Sequence, residues 1–409
     1  MILFYLLVTV MPMIRHPLWS TILGDLTVIK YLGVACLLYA VVYLPLRTTP
    51  LHLFMTWQIR LFVLFSTLVI ISFLALGSPE IPLELSPLAS FVSFLVFMFV
   101  TLTLLDSVKR LRWVLLMAVG SVAYASLHLI REWQKYGEMA AGYRPGWVVG
   151  DPNYYSVSAL LCIPIAIYLL RTKQPAWEKY FCIGSIVVTL LALTLAASRG
   201  GFVGMAAGAI VMSFHSKRRL RTFAIVTALT LPLMAVAPSS PLARLISPDQ
   251  HDLYSAEHRT DLVLAGLRMF QSHPLTGIGP GNFKPLLGLF ADLEEHNVAH
   301  NTYVEVLAEA GLPGFLLFIG IVTTTFMSLE RVRRRYGVLP EHEVVARTAE
   351  AFEVGLAAFL ASAIFLSVEA HRLFWLVVFV SAALPPLATL APPRLAAPPS
   401  PRVRTRAIP

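Results

Sequence analysis

His300 and Asn301 stand directly ahead of TYVEVLAEA, 302–310, a stretch with the spacing of a short helix. Thr302 and Glu305 have the capping-box spacing, so Thr302 is expected as N-cap, with Glu305 returning to its amide. Tyr303, Val306, Leu307 and Ala310 recur at i, i+3, i+4 and i+7 and form one apolar stripe. Glu305 and Glu309 fall on a more polar side, and Gly311 and Pro313 stop or kink the helix. A helix start carries free N–H groups and a partial positive charge, which favours an anion. The same field disfavours imidazolium. His300 is therefore expected to be neutral and able to accept a proton, beside a place where an anion can sit. The plainer reading is that His300 and Asn301 only cap the helix.

Arginines supply the other chemistry. Arg199 stands in Ser-Arg-Gly-Gly, 198–201, where glycines let the backbone approach a ligand. It can equally be an interfacial arginine reaching for lipid head groups. A helix is expected over 259–270, opened by Arg259, which otherwise reads as a solvated loop charge. Arg268 follows nine positions later, about 180° around a helix. A straight helix can therefore turn only one of the two toward a site. Arg144 and Asp151 share a loop, and Asp151-Pro152 reads first as an N-cap followed by Pro at N1. His258, His273 and His296 read as loop residues, and no two histidines have metal-ligand spacing. Cys36, Cys162 and Cys182 lie in apolar blocks and read as inert thiols. Lys30 and Glu353 fall in or near such blocks, where charge is costly and often functional. The sequence assigns neither a role.

These residues punctuate a very apolar chain. Of its 409 residues, 57% are hydrophobic and 13% charged, and the mean hydropathy is +0.72. Soluble proteins carry roughly a quarter charged residues, so this is an all-α integral membrane protein. The net charge of +9 does not imply nucleic acid, because the basic residues cluster between apolar segments, where membrane topology needs them. Apolar blocks at about 1–14, 26–46, 60–78, 88–106, 111–130, 154–170, 180–197, 201–214, 222–238, 312–329, 350–368 and 371–391 give about twelve transmembrane helices. A full span needs about 20 residues, so 1–14 and 201–214 are short. The first block lacks a basic start and a cleavage site, and reads as a retained helix rather than a signal peptide.

Lys and Arg alternate between the intervening loops. One set holds 21 and the alternate set 10, with Lys30 inside a block. That bias puts the richer set and both termini in the cytoplasm. The one large loop, 239–311, which contains short helices, then lies outside, with the loop 131–153 and the turn 198–201. The tail 392–409 has the Pro- and Arg-rich composition of a disordered segment.

Several segments resemble one family. HNTYVEVLAEAGLPG, 300–314, is similar to the His-Asn-x-Tyr…Glu-x-Gly-x-x-Gly segment of the O-antigen ligase and polymerase superfamily. HRTDLVLAGLRMFQSHPLTGIGPGNF, 258–283, resembles that family's Arg-led helix followed by a glycine-rich turn. GDPNYYS, 150–156, and ASRGG, 197–201, are further resemblances. The resemblance implies 1–130 as N-terminal transmembrane helices and 131–391 as the ligase-like domain. It implies a multi-pass enzyme of the bacterial inner membrane, an inverting glycosyltransferase working at the periplasmic face. The donor is a glycan on undecaprenyl diphosphate, and the acceptor is a hydroxyl of lipid A-core or of another glycan or protein. No metal, nucleotide or other cofactor is implied.

Within that resemblance His300 is the base or acceptor-orienting group, with Asn301 beside it. Arg199 and Arg259 hold the diphosphate, which a planar guanidinium can clamp bidentately. Arg268 is a second candidate, because polymerases have an Arg-x10-Gly spacing that Arg268 and Gly279 fit. Arg144 is a further candidate for donor binding. Close rivals are an O-antigen polymerase and a protein O-oligosaccharyltransferase. A transporter is the rival of another class, but transporters place polar, broken helices at mid-membrane, whereas these residues gather outside.

Overall fold

A computed structural model describes residues 1–13, 27–47, 56–77, 81–82, 86–137, 143–224, 228, 250–293 and 296–389. Among them there is no strand. The helices are α1 (Ile2–Val10), α2 (Thr27–Tyr43), α3 (Trp57–Leu76), α4 (Pro87–Leu104), α5 (Val108–Tyr136), α6 (Pro152–Leu169), α7 (Ala176–Ala196), α8 (Arg199–His215), α9 (Gln250–Ser272), α10 (Thr302–Tyr336), α11 (Glu343–Ser362) and α12 (Arg372–Thr389). Nine helical stretches among the described residues are long and apolar enough to cross a membrane: α2 to α7 and α10 to α12, some with their flanking 3-10 turns. The two short blocks form α1 and α8, of nine and 17 residues. The expected span over 222–238 lies outside the described residues except at 222–224 and 228, as do 239–249 and the tail 392–409.

Local sequence sets several helix starts. Ser86 and Ser107 accept from Ala89 N and Arg110 N, and Asp151 accepts from Asn153 N and Tyr154 N with Pro152 at N1. The core lies where α12 meets α3, α4, α10 and α11. Trp375 is fully buried there, 4.7 Å from Phe62 and 4.9 Å from Phe374 by ring centroid, and Phe374 stacks on Phe359 at 5.0 Å. Small residues bring α8 against α11: a Cβ on Gly204 would stand 2.4 Å from Ala358 O. Close backbone approach of this kind is how apolar helices gain contact without a hydrophobic driving force.

The two ends of the bundle differ. At one end Arg110 pairs with Asp106 at 2.9 Å and Arg112 pairs with Glu178 at 2.6 Å. Glu353, without a role from the sequence, belongs to this half: it pairs with Arg333 at 2.9 Å and His215 at 2.8 Å. At the other end the starts of α6, α8, α10 and α12 meet the ends of α7 and α11. Ser362 Oγ donates to Gly200 O at 2.8 Å, Thr302 Oγ1 to Leu366 O at 2.6 Å, and Ser158 Oγ lies 3.0 Å from His371 Nε2. That second end carries all the candidate residues.

Candidate functional site

His300 sits in a held turn. Its φ is 47°, in the left-handed region that non-glycine residues rarely adopt. Asn301 Oδ1 accepts from Tyr303 N at 3.0 Å and Val304 N at 3.1 Å, so Asn301 is the N-cap of α10. The capping box expected on Thr302 and Glu305 does not form. Thr302 is the first helical residue and is buried; its N–H and Oγ1–H both donate to Leu366 O, and Oγ1 accepts from Val368 N at 2.9 Å. Glu305 turns inward instead of back to the helix start, accepting from Ser367 Oγ and the Ala299 amide. The loop 366–368 accounts for both changes by crossing the helix start and taking the polar groups a cap would use. The imidazole of His300 is half-buried. Burial, and next the guanidinium of Arg259, hold its pKa below the usual value, while Asp151 opposes them.

Arg259, whose charge acts on His300, lies on a longer helix than expected. α9 starts at Gln250, so Arg259 lies inside it and does not open it. The polar run 250–258 contains neither Gly nor Pro, and Pro248 is a helix-start signal that the reading from Arg259 passes over. In this continuous helix Arg268 points elsewhere: it is exposed, and its Nη1 donates to Phe290 O at 2.8 Å. Of the other loop histidines, the charge of His258 also acts on His300, and its Nε2 lies 3.4 Å from Asn297 Nδ2.

The glycine-rich turn locks this loop onto α10. Ile278 N donates to Ala308 O at 2.9 Å, Gly279 N to Glu309 O at 3.1 Å, and Leu312 N to Pro274 O at 2.8 Å. The first two use carbonyls, and the third an amide, freed where Gly311, at φ 64° and ψ −171°, breaks α10 ahead of Pro313. The Glu309 carboxylate accepts from Phe283 N at 3.0 Å. Asn282 Nδ2 reaches Leu76 O at the end of α3, at 2.7 Å. Glu309, like Glu305, therefore serves the loop, although the helical pattern placed both only on a more polar side of the helix.

Arg199 is the first residue of α8. Before it Ala197 turns left-handed at φ 45°, and Ser198 caps the helix by accepting from Gly201 N. Arg144 fastens the neighbouring loop to this turn: its Nε donates to Ala196 O and its Nη2 to Asn153 Oδ1, both at 2.8 Å. The same loop is braced by Glu132, which accepts from Tyr143 OH at 2.5 Å and from Gly146 N at 3.3 Å. Arg144, Asp151 and Arg199 thus share one neighbourhood, joined to the start of α10 through Ser362, Leu366 and Thr302.

Residues 184–319 match the family model described as O-antigen ligase. That segment is similar to the O-antigen ligase family. The matched segment runs from α7 into α10 and contains Arg199, Arg259, Arg268, His300 and Asn301. Its members are glycosyltransferase-like ligases and polymerases. No curated protein matches the chain. Arg144, Asp151 and the loop 366–371 lie outside the O-antigen ligase segment, yet Arg144 bonds to Ala196, Leu366 and Ser367 bond to Thr302 and Glu305, and the Asp151 charge acts on His300.

That last loop is the part of the site sequence reasoning missed. His371 is 2% exposed, 4.4 Å from the Tyr154 ring by centroid, and burial pushes its imidazole down to about 3. Burial likewise raises the Glu369 carboxyl above the usual range. The available signal was local: SVEAHR, 367–372, puts three charged or titratable residues into the short turn between two apolar blocks.

Proposed function

We propose that the chain moves a glycan from undecaprenyl diphosphate to a hydroxyl of lipid A-core, at the periplasmic face of the bacterial inner membrane. The observation that carries this is the Arg259 charge acting on a half-buried, left-handed His300 at one end of the bundle. A fixed cation stands beside a histidine held in its neutral form. In the reaction the acceptor oxygen attacks the anomeric carbon as the bond from that carbon to the diphosphate oxygen breaks. The hydroxyl proton goes to His300, and the diphosphate leaves with the bonding electron pair. Attack from the face opposite the leaving group inverts the anomeric centre. Arg259 and Arg199 take up the charge of the departing diphosphate, the role a metal plays elsewhere. Arg144 supports the turn that carries Arg199. Asn301 spends its carbonyl oxygen as a cap, so a substrate contact falls to its Nδ2. Arg268, on the opposite face of α9, is assigned a lesser part. The abundance of arginine at the other end supports cytoplasmic termini and an external loop 239–311.

The test is the lipopolysaccharide of a strain lacking the gene. Loss of all long chains, with lipid A-core intact, is expected. A band with a single repeat would assign a polymerase. An unchanged pattern would move the acceptor to a protein or to another glycan.

A further inference from the structure

Glu305 makes no contact expected of a surface glutamate. It is 6% exposed, and its carboxylate accepts both from the amide of Ala299 and from the Ser367 hydroxyl. Ala299 is fully buried and directly precedes His300. His300 itself has the rare positive φ of 47°, which its surroundings must enforce. On its far side Asn301 caps α10, and Thr302 is gripped by Leu366 and Val368. The chain is therefore held before and after the strained residue. Ser367 belongs to the same loop and fixes the carboxylate that does half of the holding.

We propose that Glu305 and Ser367 are positioning residues for His300, keeping its imidazole aimed at the acceptor hydroxyl by fixing the Ala299 amide. This rests on the reading of His300 as the base. A group acting only through His300 must lose its effect once His300 is gone, whereas an independent structural or binding role must persist.

The experiment is a double-mutant cycle on the purified full-length protein. The variants are Glu305→Ala, Glu305→Gln, Ser367→Ala and His300→Asn, with Glu305→Ala and Ser367→Ala each also made in the His300→Asn background. Transfer from undecaprenyl-diphosphate-linked O-antigen to lipid A-core is followed for kcat and donor KM, and undecaprenyl diphosphate binding is measured separately. Misplacing a catalytic group by about an ångström costs up to about 100-fold. Glu305→Ala is therefore expected to lower kcat about 10- to 100-fold, with donor KM and binding unchanged. Glu305→Gln, which retains one acceptor, should recover part of the loss. In the His300→Asn background Glu305→Ala should cost nothing further. An equal fold-loss in both backgrounds, or full activity of Glu305→Ala, overturns the proposal. If Glu305→Ala does not fold, Ser367→Ala, which removes one hydroxyl, must show the same His300-dependent loss of several-fold, and wild-type behaviour there overturns it. A near-normal rate in His300→Asn would instead remove the base reading itself, whatever Glu305 does.

Discussion

Gly277→Ala tests whether the glycine-rich turn works by seating the loop against α10. The residue has φ +66°, and an added Cβ would stand 2.2 Å from Glu309 O and 2.3 Å from Glu309 C. Carbon contacts settle at about 3.5–4.0 Å, so the turn must back away by more than an ångström, because helical backbone does not yield. The bonds Ile278 N to Ala308 O, 2.9 Å, and Gly279 N to Glu309 O, 3.1 Å, would then exceed hydrogen-bond length. Two lost bonds cost about 2 kcal/mol, and a left-handed alanine costs about 1–2 kcal/mol more. The total is roughly 3–4 kcal/mol, nearly all of it in the loop. Gly150→Ala is the control: its φ is +102°, but a Cβ there meets nothing within 4 Å, so only the conformational cost remains. Thermal unfolding in detergent and limited proteolysis across 273–300 should rank Gly277→Ala well below Gly150→Ala, with new cleavage in the loop. Equal behaviour of the two variants would refute the seating argument.

Three further outcomes are expected. The proposed base, His300, would act while neutral, and its pKa lies below the usual 6.5. Activity should therefore persist below that pH and fall as pH drops through the lowered pKa. Arg259→Gln should move this acid limb up and Asp151→Asn should move it down; a limb fixed in both variants would show that His300 is not the titrating base. Cysteine labelling of intact cells should reach Asp292→Cys from outside and not Arg218→Cys, and the reverse pattern would invert the topology. Transfer by purified protein should survive EDTA, because arginines are proposed to take up the diphosphate charge that a metal would otherwise hold. A strict requirement for Mg²⁺ or Mn²⁺ would contradict it.

The spans were legible because lipid forces long apolar runs, and nine candidate crossings coincide with expected blocks. Local caps were legible where the partner is a few residues away, as at Asp151-Pro152, and so was the break at Gly311. What sequence could not give came from far along the chain. Thr302 loses its capping role to a loop 64 residues later. Glu305 and Glu309 fall on a more polar side by helical spacing, but each carboxylate takes amides from a loop laid across α10. Helix α9 begins at Gln250, ahead of Arg259, because no breaker separates the two. Arg259 and Arg268 face apart because α9 is continuous between them.

The most direct measurement is the transfer rate of His300→Asn beside its affinity for undecaprenyl diphosphate, with Arg199→Ala, Arg259→Ala and Arg268→Ala at matched expression. Loss of a general base costs about 10²–10⁴ in rate, so His300→Asn should fall by that factor and still bind donor. Arg199→Ala and Arg259→Ala should lose binding and turnover together, with Arg268→Ala much milder. If His300→Asn transfers glycan at a near-normal rate, or Arg268→Ala is inactive while Arg259→Ala works, the account is contradicted.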